Sequence, residues 1–466
     1  MSKSLGEFLQ KYESNYPADM VHVDKEVDSK WQLSAICAKA EKAYRSPPVF
    51  VFHKVRAASG EISSIPTVCN LFASRERCAR SIGATYERFG IDLHGLKQKS
   101  IKPTTIPRSE APVKQVVKKD EDVDLLSLPV PVYHDWDAGP YLSAGFLTCI
   151  DRNTRTDNCA LQRGFISDKS EIRFYTTDQS HNNWILNDWE QAGEDAPIAY
   201  WIGHHPAAYF GVQGKLAYPR SHYEAAGGVL GESMRLVPSE SLGQDFLVPA
   251  DAEIVIEGRV RRGKRKPEGP FGECRGYTGA QRLSRYFEVT AVTHRKDAMW
   301  LGFMCGHKDF SAGMISNLEG QIYEKVSQTV PVSAVYMPPG GMGMIVYLAI
   351  KQTVRGQASE AIASSLIGTG MKHVFVFDDD INIFDESDVL FGLATRMRWD
   401  EDVHVYKNFQ GDSTDPSTKE DGTTSKGGID CTVPIGIGSF ERRNTIPRDV
   451  MAAVKLEDYI PNFIAR

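Results

Sequence analysis

Apolar residues recur at helical spacing over residues 4–12 and 28–45. The second segment opens at Asp28-Ser29 as an N-cap and runs through Trp31, Leu33, Ile36 and Ala40. Pro48–Phe52 is a short strand-type run, and Ser74 stands where a cap would start a helix reaching to about Phe89. This alternation predicts a small α/β unit. Between about 98 and 122 the periodicity gives way to Lys, Pro, Thr and Asp, the composition of a linker. From Leu128 to about residue 312 the pattern becomes short strand-type runs broken by Gly, Pro and Asn: Leu142–Ile150, Ile172–Tyr175, Ile198–Ile202, Ala252–Val260, Phe287–His294 and Met299–Met304. Such spacing predicts a β-barrel or sandwich. After a predicted helix at 315–329 comes strand 344–350, helix 358–368, strand 373–378 and a helix near 387–393, a second α/β unit. The expected domains are 1–120, 121–312 and 313–440, with a polar loop at Gly411–Gly427 and an amphipathic tail, 441–466, suited to contact with a neighbouring chain.

Composition narrows the function. At 466 residues the chain is too long for one core. A net charge of -6 and a pI near 6.1 give no pull toward nucleic acid or anionic lipid. The basic run Arg259–Lys266 lacks interleaved aromatics and reads as a solvated hairpin tip. No apolar run is long enough to cross a bilayer, and Met1–Glu7 lacks the core of a signal peptide, so a cytoplasmic setting is expected. The eight cysteines have no CxxC spacing, which argues against a zinc site or redox pair.

The densest chemistry lies in Lys266–Tyr277, where Glu268 and Glu273 flank Gly269-Pro270-Phe271-Gly272. A turn at these residues can swing both carboxyls toward one point, where one would be pushed toward the neutral acid. A solvated loop is the alternative. Arg163, five residues beyond Asn158, can hold a carboxylate or phosphate, or simply a surface ion pair. Asn158, His181 and Glu232 offer one nitrogen and two oxygen donors for Mg²⁺ or Mn²⁺, though their spacing carries no motif. Asp378-Asp379-Asp380 reads as capping and loop chemistry, and Pro338–Gly343 as a turn rather than a phosphate loop.

These blocks resemble the UbiD-type decarboxylases, which use prenylated flavin mononucleotide. The likeness is carried by Leu128–Pro131, Asp137–Tyr141, Asn158 with Arg163, Pro206–Ala208, Gly231-Glu232, Pro267–Glu273, Asp378–Ile381, Ala394–Arg396 and Ser425–Asp430. It spans roughly residues 20–435, and Pro267–Glu273 is its most specific part. The resemblance implies a central split β-barrel of flavin-reductase type between two α/β domains. It implies Arg163, Glu268 and Glu273 as the catalytic set, and Asn158, His181 and Glu232 as ligands of Mn²⁺ or Mg²⁺ at the flavin phosphate. Arg163, Gln179 and Lys426 join the metal ligands as cofactor contacts. A potassium ion held by main-chain oxygens is also implied, although Val212-Gln213-Gly214 departs from the Ser-Ser-Met of the ferulic acid decarboxylase branch. The implied reaction is reversible decarboxylation of an unsaturated acid, aromatic or heteroaromatic in preference to cinnamic-type. Met304–Lys308, Met314, Thr395 and His404 are the expected pocket residues, a flavin prenyltransferase the cofactor's supplier, and a homodimer or larger the assembly. A physiological carboxylase and a non-catalytic flavin-binding relative are the remaining alternatives.

Overall fold

In the computed structural model, which describes residues 4–436 and 440–460, Ser4 caps the first helix, α1 (Leu5–Asn15). Its hydroxyl accepts the Glu7 amide at 3.1 Å, and Leu5, Phe8, Leu9 and Tyr12 form the buried stripe. Helix α2 (Gln32–Ala43) starts later than expected, because Val27-Asp28 is drawn into a strand pair with Val55-Arg56. Ser74 does cap α3 (Arg75–Ser81), but Gly83 at φ 72° ends that segment and α4 (Phe89–Gln98) is a separate helix. Three strands, Met20–Val23, Val49–Phe52 and Thr67–Cys69, form the N-terminal sheet, and a fourth, Trp300–Leu301, arrives from far along the chain.

The polar stretch 98–122 is not a free linker. Thr104-Thr105 pairs with Arg235-Leu236, and Val116–Lys119 pairs with Ala291–His294. Between these strands its charged residues sit in short 3₁₀ turns, Arg108–Glu110 and Pro112–Lys114, and Lys114 is buried against Glu257.

The central unit is a curled, wholly antiparallel sheet. Its strands run in the order Asp157–Leu161, Phe146–Ile150, Ala196–Ile202, Ile254–Val260, Tyr286–His294, Glu171–Arg173, Gly164–Asp168 and Tyr141-Leu142. The two strands Asp157–Leu161 and Gly164–Asp168 stand near opposite ends of this order, yet only Gln162 and Arg163 join them in sequence. The sheet therefore has to roll until its ends meet, and Arg163 lies on the seam. The helices α5 (His181–Gln191) and α7 (His222–Leu230) pack on the strand Asp157–Leu161, with α6 (Pro206–Val212) against α7.

The C-terminal unit begins with α8 (Asn317–Val326) and is a five-stranded mixed sheet. Its order is Val332–Tyr336, Ile345–Ile350, His373–Asp378, Thr423–Cys431, Val403–Gln410, with α9 (Gln357–Leu366) and α10 (Glu386–Arg396) as connections. The end of the expected Gly411–Gly427 loop is the start of the Thr423–Cys431 strand. Asp378 and Asp380 pair with Arg396, the capping and loop role expected of the acidic triplet. The tail carries α11 (Arg448–Ala453) and exposes Met451, Val454, Leu456 and Tyr459; residues 461–466 of the expected tail lie outside the described residues. Among the described residues no helix is long and apolar enough to cross a membrane.

One buried ion pair locks the first unit to the last. Arg75 on α3 makes two bonds to Glu319 on α8, at 2.9 and 2.8 Å, inside a ring of Tyr86, Phe89, Tyr336 and Phe384. Removing one partner strands the other charge, at a cost of about 3–5 kcal/mol. Glu319→Ala should lower stability to urea by that amount, whereas Arg88→Ala, which removes an exposed pair with Asp92, should shift it by less than about 1 kcal/mol.

Candidate active site

Glu268 ends a short strand, Lys266–Glu268, that pairs with Arg282–Ser284. Gly269 then takes φ 88°, where a Cβ would come within 3.0 Å of the Ala280 carbonyl, and the Pro270 turn leads into Phe271-Gly272, paired with Thr278-Gly279. This double turn places Glu268 and Glu273 on the seam. Arg163 Nε and Nη2 donate to the two oxygens of Glu268 at 2.9 and 2.8 Å, and Nη1 donates to Glu273 Oε1. The two carboxyls do not face one another, as the sequence suggested; the guanidinium stands between them. Glu268 is fully buried and also accepts from Tyr141 at 3.3 Å, whereas the Glu273 side chain is 15% exposed. Burial opposes the Arg163 charge, but the hydrogen bonds and charges of both glutamates override it and hold the guanidinium above its usual range. Glu268 is thus a fixed carboxylate, and Glu273 is the one that can meet a ligand.

On the strand leading into Arg163, the Asn158 amide nitrogen donates to Asn182 Oδ1 at 2.6 Å, which leaves Oδ1 as the atom that can face a cation. His181 opens α5 and is buried against Trp184 and Tyr218. Asp157 fastens the start of α7 to the same place, accepting from Ser221 Oγ, His222 N and Tyr223 N at 2.5, 2.8 and 3.1 Å. Glu232 follows Gly231, the left-handed residue that ends α7.

The segment expected to hold potassium has its carbonyls engaged. Val212 O accepts from His222 Nδ1 at 2.9 Å, and Gln213 O accepts from both Lys97 Nζ and, at 2.8 Å, Asn317 Nδ2. Those two carbonyls already have hydrogen-bond donors. Lys97, 3% exposed, places an ammonium there; burial and then the like charge of Arg220 push it down to about 7.

Two further expected cofactor contacts have these partners. Lys426 Nζ donates to the Thr369 and Leu366 carbonyls at the end of α9, within the C-terminal unit. Gln179 is exposed, and its main-chain carbonyl accepts from Lys215 at 3.3 Å. His404 lies 3.4 Å from Ser359 and Thr395 bonds its own helix, so neither reaches the trio. Met314 is buried in the main core. The 304–308 segment does approach: a Cβ on Gly306 would stand 2.9 Å from the Glu273 carbonyl, and His307 bonds Glu41 at 3.1 Å. The approach of Lys97 and His222 to the Val212-Gln213 carbonyls has no signal in their local sequence, because it depends on helix ends from two units converging on one point.

Comparison with known proteins now decides the family. Residues 16–94, 104–308 and 312–431 match the N-terminal, Rift-related and C-terminal domains of 3-octaprenyl-4-hydroxybenzoate carboxy-lyase. The chain belongs to the UbiD family. It is a carboxy-lyase of the UbiD class, with that family's three-domain architecture. Anhydromevalonate phosphate decarboxylase of Methanosarcina mazei is 27% identical over 441 residues, covering 94% of this chain and 98% of the relative. The UbiD-class enzyme HmfF from Pelotomaculum thermopropionicum, solved with FMN, superposes with a TM-score of 0.90 at 31% identity, covering 98% of this chain and all of that one. An evolved dimeric form of it, with prFMN, gives 0.87 at 30%, with the same coverage. Vanillic acid decarboxylase of Sedimentibacter hydroxybenzoicus gives 0.84 at 25%, covering 97% of each chain.

The histidines of this UbiD chain set its acid limit. Burial pushes His204 and His222 down to about 4 and His205 down to about 3. Free imidazole titrates near 6.5, so between about pH 6.5 and 4 the unfolded chain binds protons that the fold refuses. Their contribution to stability is full above that window and is lost as pH drops through it, offset in part by the buried carboxyls of Glu253 and Asp309, which burial pushes up to about 7. The apoprotein's Tm should decrease steadily from pH 7 to pH 5. His205→Asn, which keeps an acceptor for the Ala207 amide, should flatten the slope.

Proposed function

We propose that the chain removes CO₂, reversibly and without net oxidation, from an unsaturated carboxylic acid on bound prenylated FMN. The observation that carries this reading is the unequal sharing of Arg163 between a buried Glu268 and a partly open Glu273. Glu268 fixes the plane of the guanidinium through Nε and Nη2, so Nη1 is the nitrogen that can pass from Glu273 to a substrate carboxylate. Prenylated FMN, when bound, supplies the electron sink that no side chain offers. Glu273 takes a proton from solvent once Nη1 has turned to the substrate carboxylate, delivers it to the carbon that CO₂ has left, and returns to Arg163 as the carboxylate. Asn158, His181 and Glu232 are the residues that would hold a divalent ion, Mn²⁺ or Mg²⁺, at the cofactor phosphate, and the Lys97 amine is bonded to Gln213 O.

Aromatic and heteroaromatic acids are the first substrates to test, in keeping with the vanillic acid decarboxylase likeness. Anhydromevalonate phosphate is the second, since its decarboxylase matches nearly end to end. The exposed apolar tail is assigned to contact with a second copy.

Protein made alongside a flavin prenyltransferase should release CO₂ from one of these classes and exchange deuterium at the product carbon. Glu273→Gln should keep its flavin yet lose turnover by about 10²–10⁴-fold and lose the exchange. Full turnover by that variant refutes the proton-donor role. Arg163→Lys should also lose turnover, because a single ammonium cannot span both glutamates.

A further inference from the structure

Glu273 stands at the tip of a very short ribbon. Phe271-Gly272 pairs with Thr278-Gly279, and the chain reverses between them with Gly276 N donating to Glu273 O and Glu273 N to Tyr277 O, at 3.0 and 2.8 Å. Two residues per strand are too few to hold such a turn, since an isolated hairpin is marginal even when longer. A proton donor does not tolerate that freedom, because a misplacement of about 1 Å can cost about 10²-fold in rate. The tip has to be held from outside.

Two neighbours hold it. On one side it lies against Gly306, where a Cβ would stand 2.9 Å from the Glu273 carbonyl and 3.1 Å from Gly276 Cα. On the other, Arg275 crosses into the C-terminal unit. Its Nη2 donates to Asp412 Oδ2 at 2.8 Å, and its Nη1 donates to the Met342 carbonyl. Met342 belongs to the Pro338–Gly343 turn, and Gly343 takes φ 73°, where a Cβ would come 2.5 Å from Nη1. Asp412 lies in the polar Gly411–Gly427 loop and sets its start: its other oxygen accepts Thr414 N and Oγ1 at 2.8 and 2.7 Å, and its carbonyl accepts Thr418 Oγ1 at 2.8 Å. Burial opposes the Asp412 charge, but the bonds from Arg275 and Thr414 override it and hold the carboxyl below its usual range. The Arg275 side chain is 9% exposed and its Nε has no partner among the described residues, so the two Nη contacts are what fix a buried cation. A turn and a loop that the flavin chemistry leaves unused thus meet on one side chain, two residues beyond Glu273.

We propose that Arg275 is a positioning residue: through Asp412 and the Met342 carbonyl, the C-terminal unit sets where the Glu273 carboxyl stands. This rests on Glu273 as the proton donor and adds what keeps that donor in place.

Arg275→Met removes both bonds and keeps the apolar stem, whereas Asp412→Asn keeps an acceptor for Thr414 and removes the charge facing Arg275. In flavin-loaded protein each should lower kcat by about 10–100-fold, with KM for the acid within about twofold of wild type and deuterium exchange at the product carbon falling in step. Arg275→Lys, whose ammonium reaches one of the two oxygens, should recover part of the loss. Wild-type kcat per bound flavin in either folded variant overturns the assignment, and so does a loss confined to flavin content. Amide hydrogen exchange of the apoprotein, followed by mass spectrometry, reads the same contact without turnover. Peptides covering 271–279 should exchange at least about tenfold faster in Arg275→Met, while those covering 163–168 keep the wild-type rate. Unchanged exchange at 271–279 also overturns it. If the variant exchanges faster but the wild type releases CO₂ from no acid, the decarboxylase reading falls and the hold on the tip stands.

Discussion

A guanidinium held in one plane by a carboxylate that never reaches solvent is the constraint on which this site depends. Taking both charges out of water is costly, and the cost is offset only because each oxygen of Glu268 receives its own N–H and Tyr141 adds a third donor. Arg163 is thereby fixed before any ligand arrives. Its remaining nitrogen, and the glutamate that shares it, are the parts of the trio left to respond. The curled sheet exists, in functional terms, to bring its two ends to this residue.

The cationic side of the site is assembled differently. Gln213 O, in the central unit, receives Lys97 from the N-terminal helix α4 and Asn317 from the C-terminal helix α8. Three units meet at one carbonyl. Arg75 and Glu319 bind the same first and last units a short way off, so the geometry around the proposed phosphate site is set by contacts between units rather than within one.

The parts of this arrangement legible in the sequence are those governed by local chemistry. Pro267–Glu273 announces a turn flanked by acids because Gly and Pro restrict the backbone in known ways, and the turn is there. The core strands and most helices follow from their apolar spacing. What could not be read is what depends on direction. Spacing alone does not say which end of α7 faces the strand that carries Asn158. Composition marked 98–122 as linker because its charged residues sit in short turns between paired strands. Lys426 sits in a block shared with the family, yet its ammonium turns to the end of its own unit's helix.

The strand Trp300–Leu301 has a consequence for how the molecule is made. On the ribosome the first hundred residues emerge with the edge at Thr67–Cys69 still open, since its partner is encoded some 230 residues later. An exposed edge of this kind invites mispairing. The nascent N-terminal unit therefore has to wait, incomplete, until the curled sheet behind it has been synthesised. The Gln213 carbonyl, which receives Lys97 and Asn317, gains both donors only after all three units have been made.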